Sequence, residues 1–175
     1  MFRRRDIGGG VAGSLTLGDQ AVGRLPVVLV DFDFDDDRER LDRAVIVHFL
    51  TTQAYWARWR GAPEINRQID GAWRVVGAYE RRTGAMVGFA RALSDGVGLA
   101  YLADVFVEPE FRGQGIGEGL VRVMVDDGPG HDFRWMLHTS DAHELYRRFG
   151  FAEPNETYME RPAGPGKAAL ANPTA

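Results

Sequence analysis

The segment 73–107 restricts this chain more than any other. Three strand-like runs, Trp73–Tyr79, Ala85–Leu93 and Leu99–Val107, are separated only by Glu80–Gly84 and by a connection opening on Ser94-Asp95-Gly96. Connections this short join neighbouring strands antiparallel, because a parallel crossover needs a dozen residues or more. Asp-Gly suits a tight hairpin, since glycine supplies the positive φ such turns demand. Pro109 closes the third run, having no N–H to give a sheet ladder. An antiparallel meander is therefore expected across 73–107.

The pattern changes after Pro109. Arg112–Gly117 is a glycine-rich turn, and Glu118–Asp127 is predicted helical, with Leu120, Val121, Met124 and Val125 as its apolar face. Phe133–His138 is predicted to be a strand. Ser140–Phe149 is predicted helical, with Ser140 or Asp141 as N-cap and Gly150 just past its end. A final strand is expected from Phe151 towards Met159.

Upstream of the meander, Val27–Val30 reads as a strand running on through Asp31–Phe34. The acidic run Asp35-Asp36-Asp37 fits a solvated loop, or a cation site. Asp42 is positioned to cap a helix through Val45, Val47, Phe49 and Leu50. Pro63 opens a second helix at its first position and Gly71 closes it. The element order is β-α-α-β-β-β-α-β-α-β, an α+β fold with a mixed, mostly antiparallel sheet flanked by helices. Residues 1–25 read as a flexible lead-in, 26–161 as the domain, and 162–175, rich in Pro, Gly and Ala, as a disordered tail.

Composition narrows the function classes. The chain has 175 residues, 45% of them hydrophobic, which suits one globular domain. It has no cysteine, which excludes disulfide scaffolds, thiolate metal sites and cysteine nucleophiles. Its net charge of −4 lacks the basic surplus of a general nucleic-acid binder. No apolar run approaches the roughly 20 residues that span a membrane, and the start of the chain carries no clean secretion signal. The cytoplasm is the default location.

The turn Arg112-Gly113-Gln114-Gly115-Ile116-Gly117 carries the strongest chemical signal. It lies between a strand end and a helix start, where backbone N–H groups converge and the helix dipole adds positive potential. Such a nest takes a phosphate or pyrophosphate, and Arg112 adds a charge at its mouth. It is not a Walker loop, which ends in Gly-Lys-Ser/Thr. Nor is it the G-x-G-x-x-G fingerprint of a parallel sheet, since Gly113, Gly115 and Gly117 alternate. By itself the turn also fits a glycine-rich connection that binds nothing.

Taken with its context, this segment resembles the GNAT superfamily of N-acetyltransferases. Arg112–Gly117 is similar to that family's Q/R-x-x-G-x-G/A motif, which cradles the acetyl-CoA pyrophosphate. Thr139–Phe151 (TSDAHELYRRFGF) is similar to its second signature, a helix ending in Leu-Tyr-x-x-x-Gly-Phe. The resemblance covers about residues 27–160. It implies a GNAT-like sheet and direct acetyl transfer from acetyl-CoA to a primary amine, on a small molecule or a protein. Relatives often dimerise, so a homodimer is one assembly it allows. It also implies that backbone groups around Phe106 and Val107 meet the pantetheine arm and the oxyanion. Where many members place Asn early in the second signature, this chain has Ser140-Asp141. Asp141 thus stands at the position of a cofactor contact that a carboxylate would make poorly.

Tyr146 matches the tyrosine of that signature. A phenol titrates near ~10 and a thiol near ~8.5, so Tyr146 stays protonated and can donate to the departing thiolate. Alternatively its ring packs on the sheet with an idle hydroxyl. Asp104 is a carboxylate inside an apolar strand, costly if buried and unpaired. It serves as the base for the amine, holds an ammonium, faces outward, or forms an internal salt bridge. Glu108 is the second candidate. Tyr55 and Trp56, in the polar and aromatic connection Thr51–Arg60, either line the acceptor site or pack the helices, and Arg58 or Arg60 facing that site would favour an amine bearing a carboxylate. His138 and His143 flank Asp141 without a specific metal spacing, and no metal is expected. Two other classes stay open: a non-catalytic acyl-CoA-binding or regulatory module, and a nucleotide-binding protein.

Overall fold

The computed structural model describes residues 31–57 and 59–161. The lead-in 1–25, the segment Val27–Val30, Arg58 and the tail 162–175 lie outside the described residues. Five strands form one sheet in chain order: β1 (Phe32–Asp35), β2 (Arg74–Glu80), β3 (Met86–Ser94), β4 (Leu99–Val107) and β5 (Arg134–Met136). The first four are antiparallel neighbours, and β5 joins β4 parallel. The expected meander is β2-β3-β4, with the third strand at the predicted residues.

Period-two alternation gives the sheet two buried faces. Val75 and Phe89 point to one face, and Val76 and Ala90 to the other. On the first face lie α1 (Arg43–Thr52) and α2 (Ala62–Asp70), which contribute Ile46, Phe49, Leu50, Ile65 and Ile69. The second face is covered by α3 (Ile116–Val125), through Ile116, Leu120, Val121 and Met124, and by Tyr146 of α4 (His143–Arg147).

Local chemistry sets most boundaries. The Asp42 carboxylate accepts from the N–H groups of Ala44 and Val45, capping α1 as expected. Glu64 takes the Gly61 N–H at the start of α2, so Pro63 is its second residue rather than its first. The acidic run is used in pairing: Asp35 with Arg40, Asp36 with Arg74, and Asp37 with the Glu39 N–H.

Three further expectations need correction. First, α3 starts at Ile116, two residues early, because Gly115 takes a left-handed φ of 80° and serves as its N-cap. Second, α4 spans only five residues and begins after Ala142, so neither Ser140 nor Asp141 caps it. Third, 151–159 forms no strand. Pro154 has no N–H to pair, and Asn155 turns the chain, its side chain accepting from the Thr157 N–H and its carbonyl from the Tyr158 N–H.

Candidate active site

Two departures from a regular sheet create the site. The β4–β5 pairing runs only from Leu99–Arg134 to Tyr101–Met136, after which the two strands separate. In the β3–β4 ladder, Phe89 faces Phe106 while Arg91 faces Ala103, so β4 carries one extra residue. That residue sits at Asp104, whose φ of 50° is the left-handed region that non-glycine residues avoid. A bulge bends its strand and re-aims the residues beside it. Together the splay and the bulge expose one edge of β4 to a cleft of about 470 Å³.

The far wall of this cleft is the glycine turn. Gly113 and Gly115 hold φ of 76° and 80°, conformations that a Cβ would strain. The turn delivers the N-terminus of α3, whose first N–H groups have no partner within the helix. Arg112, exposed at the rim, donates from Nε to the Val107 carbonyl at 3.1 Å, tying the turn to the end of β4. Phe106, Val107, Arg112, Gly113, Gly115, Ile116 and Gly117 all line the cleft. Gln114 is exposed on the turn and is not among the lining residues. A ring of N–H donors beside one guanidinium, opposite an unpaired strand edge, fits a pyrophosphate joined to an amide-bearing arm.

Tyr146, from α4, also lines the cleft and is buried at 9% exposure. Burial, with smaller contributions from Asp141, Tyr55 and Tyr101, pushes its phenol up to about 12. It therefore holds its proton at neutral pH. Tyr55 and Trp56 also line the cleft, their rings edge to face at 4.9 Å. The Tyr55 hydroxyl pairs with the Ser140 hydroxyl and donates to Asp141 at 3.5 Å. The connection after α1 thus reaches across to the segment preceding α4.

Asp104 does not face open space. Arg60 grips it with both terminal nitrogens, at 2.8 and 2.7 Å, Arg91 donates from Nε at 2.6 Å, and the Trp56 indole N–H reaches it at 3.2 Å. The Asp104 and Arg60 side chains are each 4% exposed. Burial pushes the carboxyl up, but the two guanidinium groups outweigh burial and hold it below the usual carboxylate range. A carboxylate with four donors and a lowered pKa has no lone pair to spare and little basicity. The base role expected of Asp104 does not fit this geometry, whereas the internal salt bridge does. Arg60 is spent on the same pair and does not present a charge to an acceptor. Glu108 is partly desolvated, which raises its carboxyl, and it lies near His48 and Gln53 beyond the end of β4.

Among the described residues, no group of three or more His, Asp or Glu side chains is placed to hold a metal ion. No helix among them is long and apolar enough to cross a membrane.

Comparison with known proteins agrees with this architecture. The acetyltransferase (GNAT) domain profile matches residues 72–153. A crystal structure of a candidate GNAT-family acetyltransferase from Xanthomonas campestris pv. campestris is 36% identical, covering 79% of this chain and 96% of that one, with a TM-score of 0.69. The chain belongs to the GNAT family. A curated candidate acetyltransferase from Gibberella zeae is 34% identical over 81 residues, 45% of each chain, so the match spans under half of that relative. A candidate acetyltransferase from Clostridium acetobutylicum, described with acetyl-CoA, shares the fold at 16% identity and a TM-score of 0.57, covering 75% of this chain and 96% of that one.

Two side chains were missed in the sequence: Arg91, which pairs with Asp104, and Tyr101, which pairs with His138. Arg91 leaves a signal, a lone cation inside the apolar strand next to the one holding Asp104. Tyr101 leaves none, because its partner His138 comes from a distant element.

Proposed function

We propose that this GNAT protein transfers the acetyl group of acetyl-CoA directly to a primary amine. One observation carries the reading: a single cleft unites the α3 N-terminal nest, the open edge of β4 and the Tyr146 phenol. This set of groups suits one elongated donor. Arg112 and the backbone N–H groups of Gly113–Gly117 take the pyrophosphate. The edge of β4 at Phe106 and Val107 takes the arm as an added strand, and a backbone N–H there meets the oxygen on which charge builds.

Tyr146 gives its proton to the departing sulfur as the C–S bond breaks; the phenol is the weaker acid of the two, so the transfer goes with the return of a proton from the acetylated nitrogen to the phenolate oxygen. Asp104 acts by position: its ion pairs hold the β4 bulge that aims this backbone. Tyr55 and Trp56 form the wall over the reacting carbonyl. Asp141 orders that wall through Tyr55, because a carboxylate would repel phosphate.

Calorimetric titration with acetyl-CoA, beside a thiol-release assay over a panel of primary amines, tests the reading. Binding with amine-dependent release is expected. Binding without release from any amine would favour a non-catalytic acyl-CoA module, and no binding would remove the donor site.

A further inference from the structure

A second cavity, of about 710 Å³, is bounded by β5, α4 and the segment 151–159. Among the described residues, Tyr146 alone lines both cavities. An amine entering the second cavity would therefore meet the same phenol that lines the donor cleft.

A chain of proton-carrying groups runs outward from this cavity. The Tyr101 hydroxyl lies 2.8 Å from His138 Nδ1, and His138 Nε2 lies 3.3 Å from Glu160 and 3.5 Å from the Tyr158 hydroxyl. Burial raises the Tyr101 phenol, with Tyr158, Asp104 and Glu160 adding to the rise and Arg91 opposing it. The His138 ring is 54% exposed and Glu160 is 53% exposed. From α4, His143 and Arg147 also face the cavity, as do Arg134 and Glu153. The chain runs from a half-buried phenol to an imidazole in contact with water.

Resting on the acetyl-transfer reading above, we propose that Tyr101 and His138, backed by Glu160, form the relay that removes the proton from the acceptor's ammonium group. An alkylammonium has a pKa near ~10 and is almost wholly protonated at neutral pH, so it must lose a proton before it attacks, and an imidazole nitrogen is a group that can take one. Tyr101 cannot accept alone, because its phenol is already neutral. It takes the ammonium proton as its own proton passes to His138 Nδ1, and Glu160 steadies the imidazolium through Nε2–H. The N–H electron pair left on nitrogen forms the bond to the acetyl carbon. The C–S pair goes to sulfur, which takes the Tyr146 proton, and Tyr146 is restored by the second N–H proton. His138 returns the first proton to water. The sum is ammonium and thioester giving amide, thiol and one proton.

The test follows kcat/KM against pH, from about pH 6 to about pH 10, for wild type and for Tyr101→Phe, His138→Gln and Glu160→Gln. The substrate is the primary alkylamine that wild type turns over fastest in the thiol-release panel. Acetyl-CoA affinity is measured by calorimetry for each. Tyr101→Phe and His138→Gln should lose about 10²-fold near neutrality. That deficit should shrink about tenfold per pH unit as the amine deprotonates unaided. Glu160→Gln should lose less, and acetyl-CoA affinity should hold in all three. Wild-type profiles in both Tyr101→Phe and His138→Gln, or a deficit equal at every pH as a packing role would give, overturns the relay alone. Wild type inactive with every amine overturns the transfer reading and the relay with it.

Discussion

Asp104 shows how much a single residue's surroundings decide. Its carboxylate lies between two guanidinium groups and an indole N–H, in a backbone conformation that costs roughly 1–3 kcal/mol. Asp104→Asn keeps the volume and removes the charge, leaving Arg60 and Arg91 buried together. It is expected to cost about 3–5 kcal/mol in chemical denaturation. The sign with pH follows from the lowered carboxyl. Its stabilisation is present above the ordinary carboxylate value and is lost as the pH falls through the lower folded-state value. The gap between wild type and Asp104→Asn should thus stay constant from neutrality to about pH 4 and narrow below it; a gap unchanged in acid would contradict the ion-pair account. Tyr146 differs in kind, because its environment keeps it neutral. Tyr146→Phe should lower kcat about 10²-fold while acetyl-CoA affinity holds. With the phenol at about 12, no rate change below pH 10 should trace to its ionisation. Unchanged turnover would remove the general-acid role.

At the scale of elements, the site depends on how α3 sits against the sheet. Gly119, on the buried face of α3, has no room for a Cβ: one placed there would lie 2.3 Å from Phe34 Cζ. That absence lets β1 and α3 approach closely, which holds the helix N-terminus against the cleft. Gly119→Ala should cost about 1–3 kcal/mol by overpacking, more than the roughly 1 kcal/mol alanine gains in helix propensity. A lower Tm is expected, and a raised one would mean that Phe34 moves freely. The elements themselves were largely legible beforehand. The β2-β3-β4 meander follows from alternation and short connections, and α1 from Asp42 and its apolar face. The final strand was misread because 151–159 holds enough apolar residues to look extended, while Pro154 and Asn155 set the local geometry. Helix α4 was overextended because Ser140 is drawn into a contact with Tyr55, a residue 85 positions earlier.

Across the whole molecule, the cleft joins parts far apart in the chain: the connection after α1, the end of β4, the glycine turn and the start of α4. A ligand spanning them should stabilise the fold as one unit. At roughly 100 times its Kd, acetyl-CoA should add about 2.7 kcal/mol. Each kcal/mol is worth about 2–8 °C in Tm for domains of this general size. ATP at the same concentration, which lacks the pantetheine arm, should shift Tm less. An equal shift from ATP would mean that the cleft reads phosphates alone.

What the sequence determined by itself is local. The order of elements as far as α4, the antiparallel meander, the Asp42 cap and the glycine turn before α3 all arise from residues close in the chain, where short-range sterics and hydrogen bonding act. The two signatures were legible for the same reason, since each is contiguous, and residues of both line the cleft. Only the tertiary structure decided which charges meet. Asp104 could equally be a base, a surface carboxylate or a paired one until Arg60 and Arg91, 44 and 13 residues away, were brought to it. Tyr101 and His138, 37 residues apart, become one chain of hydrogen bonds only because β4 and β5 separate just beyond their last pair. Ionisation and proton transfer depend on the groups within a few ångströms, and those neighbours are set by packing rather than by position along the chain.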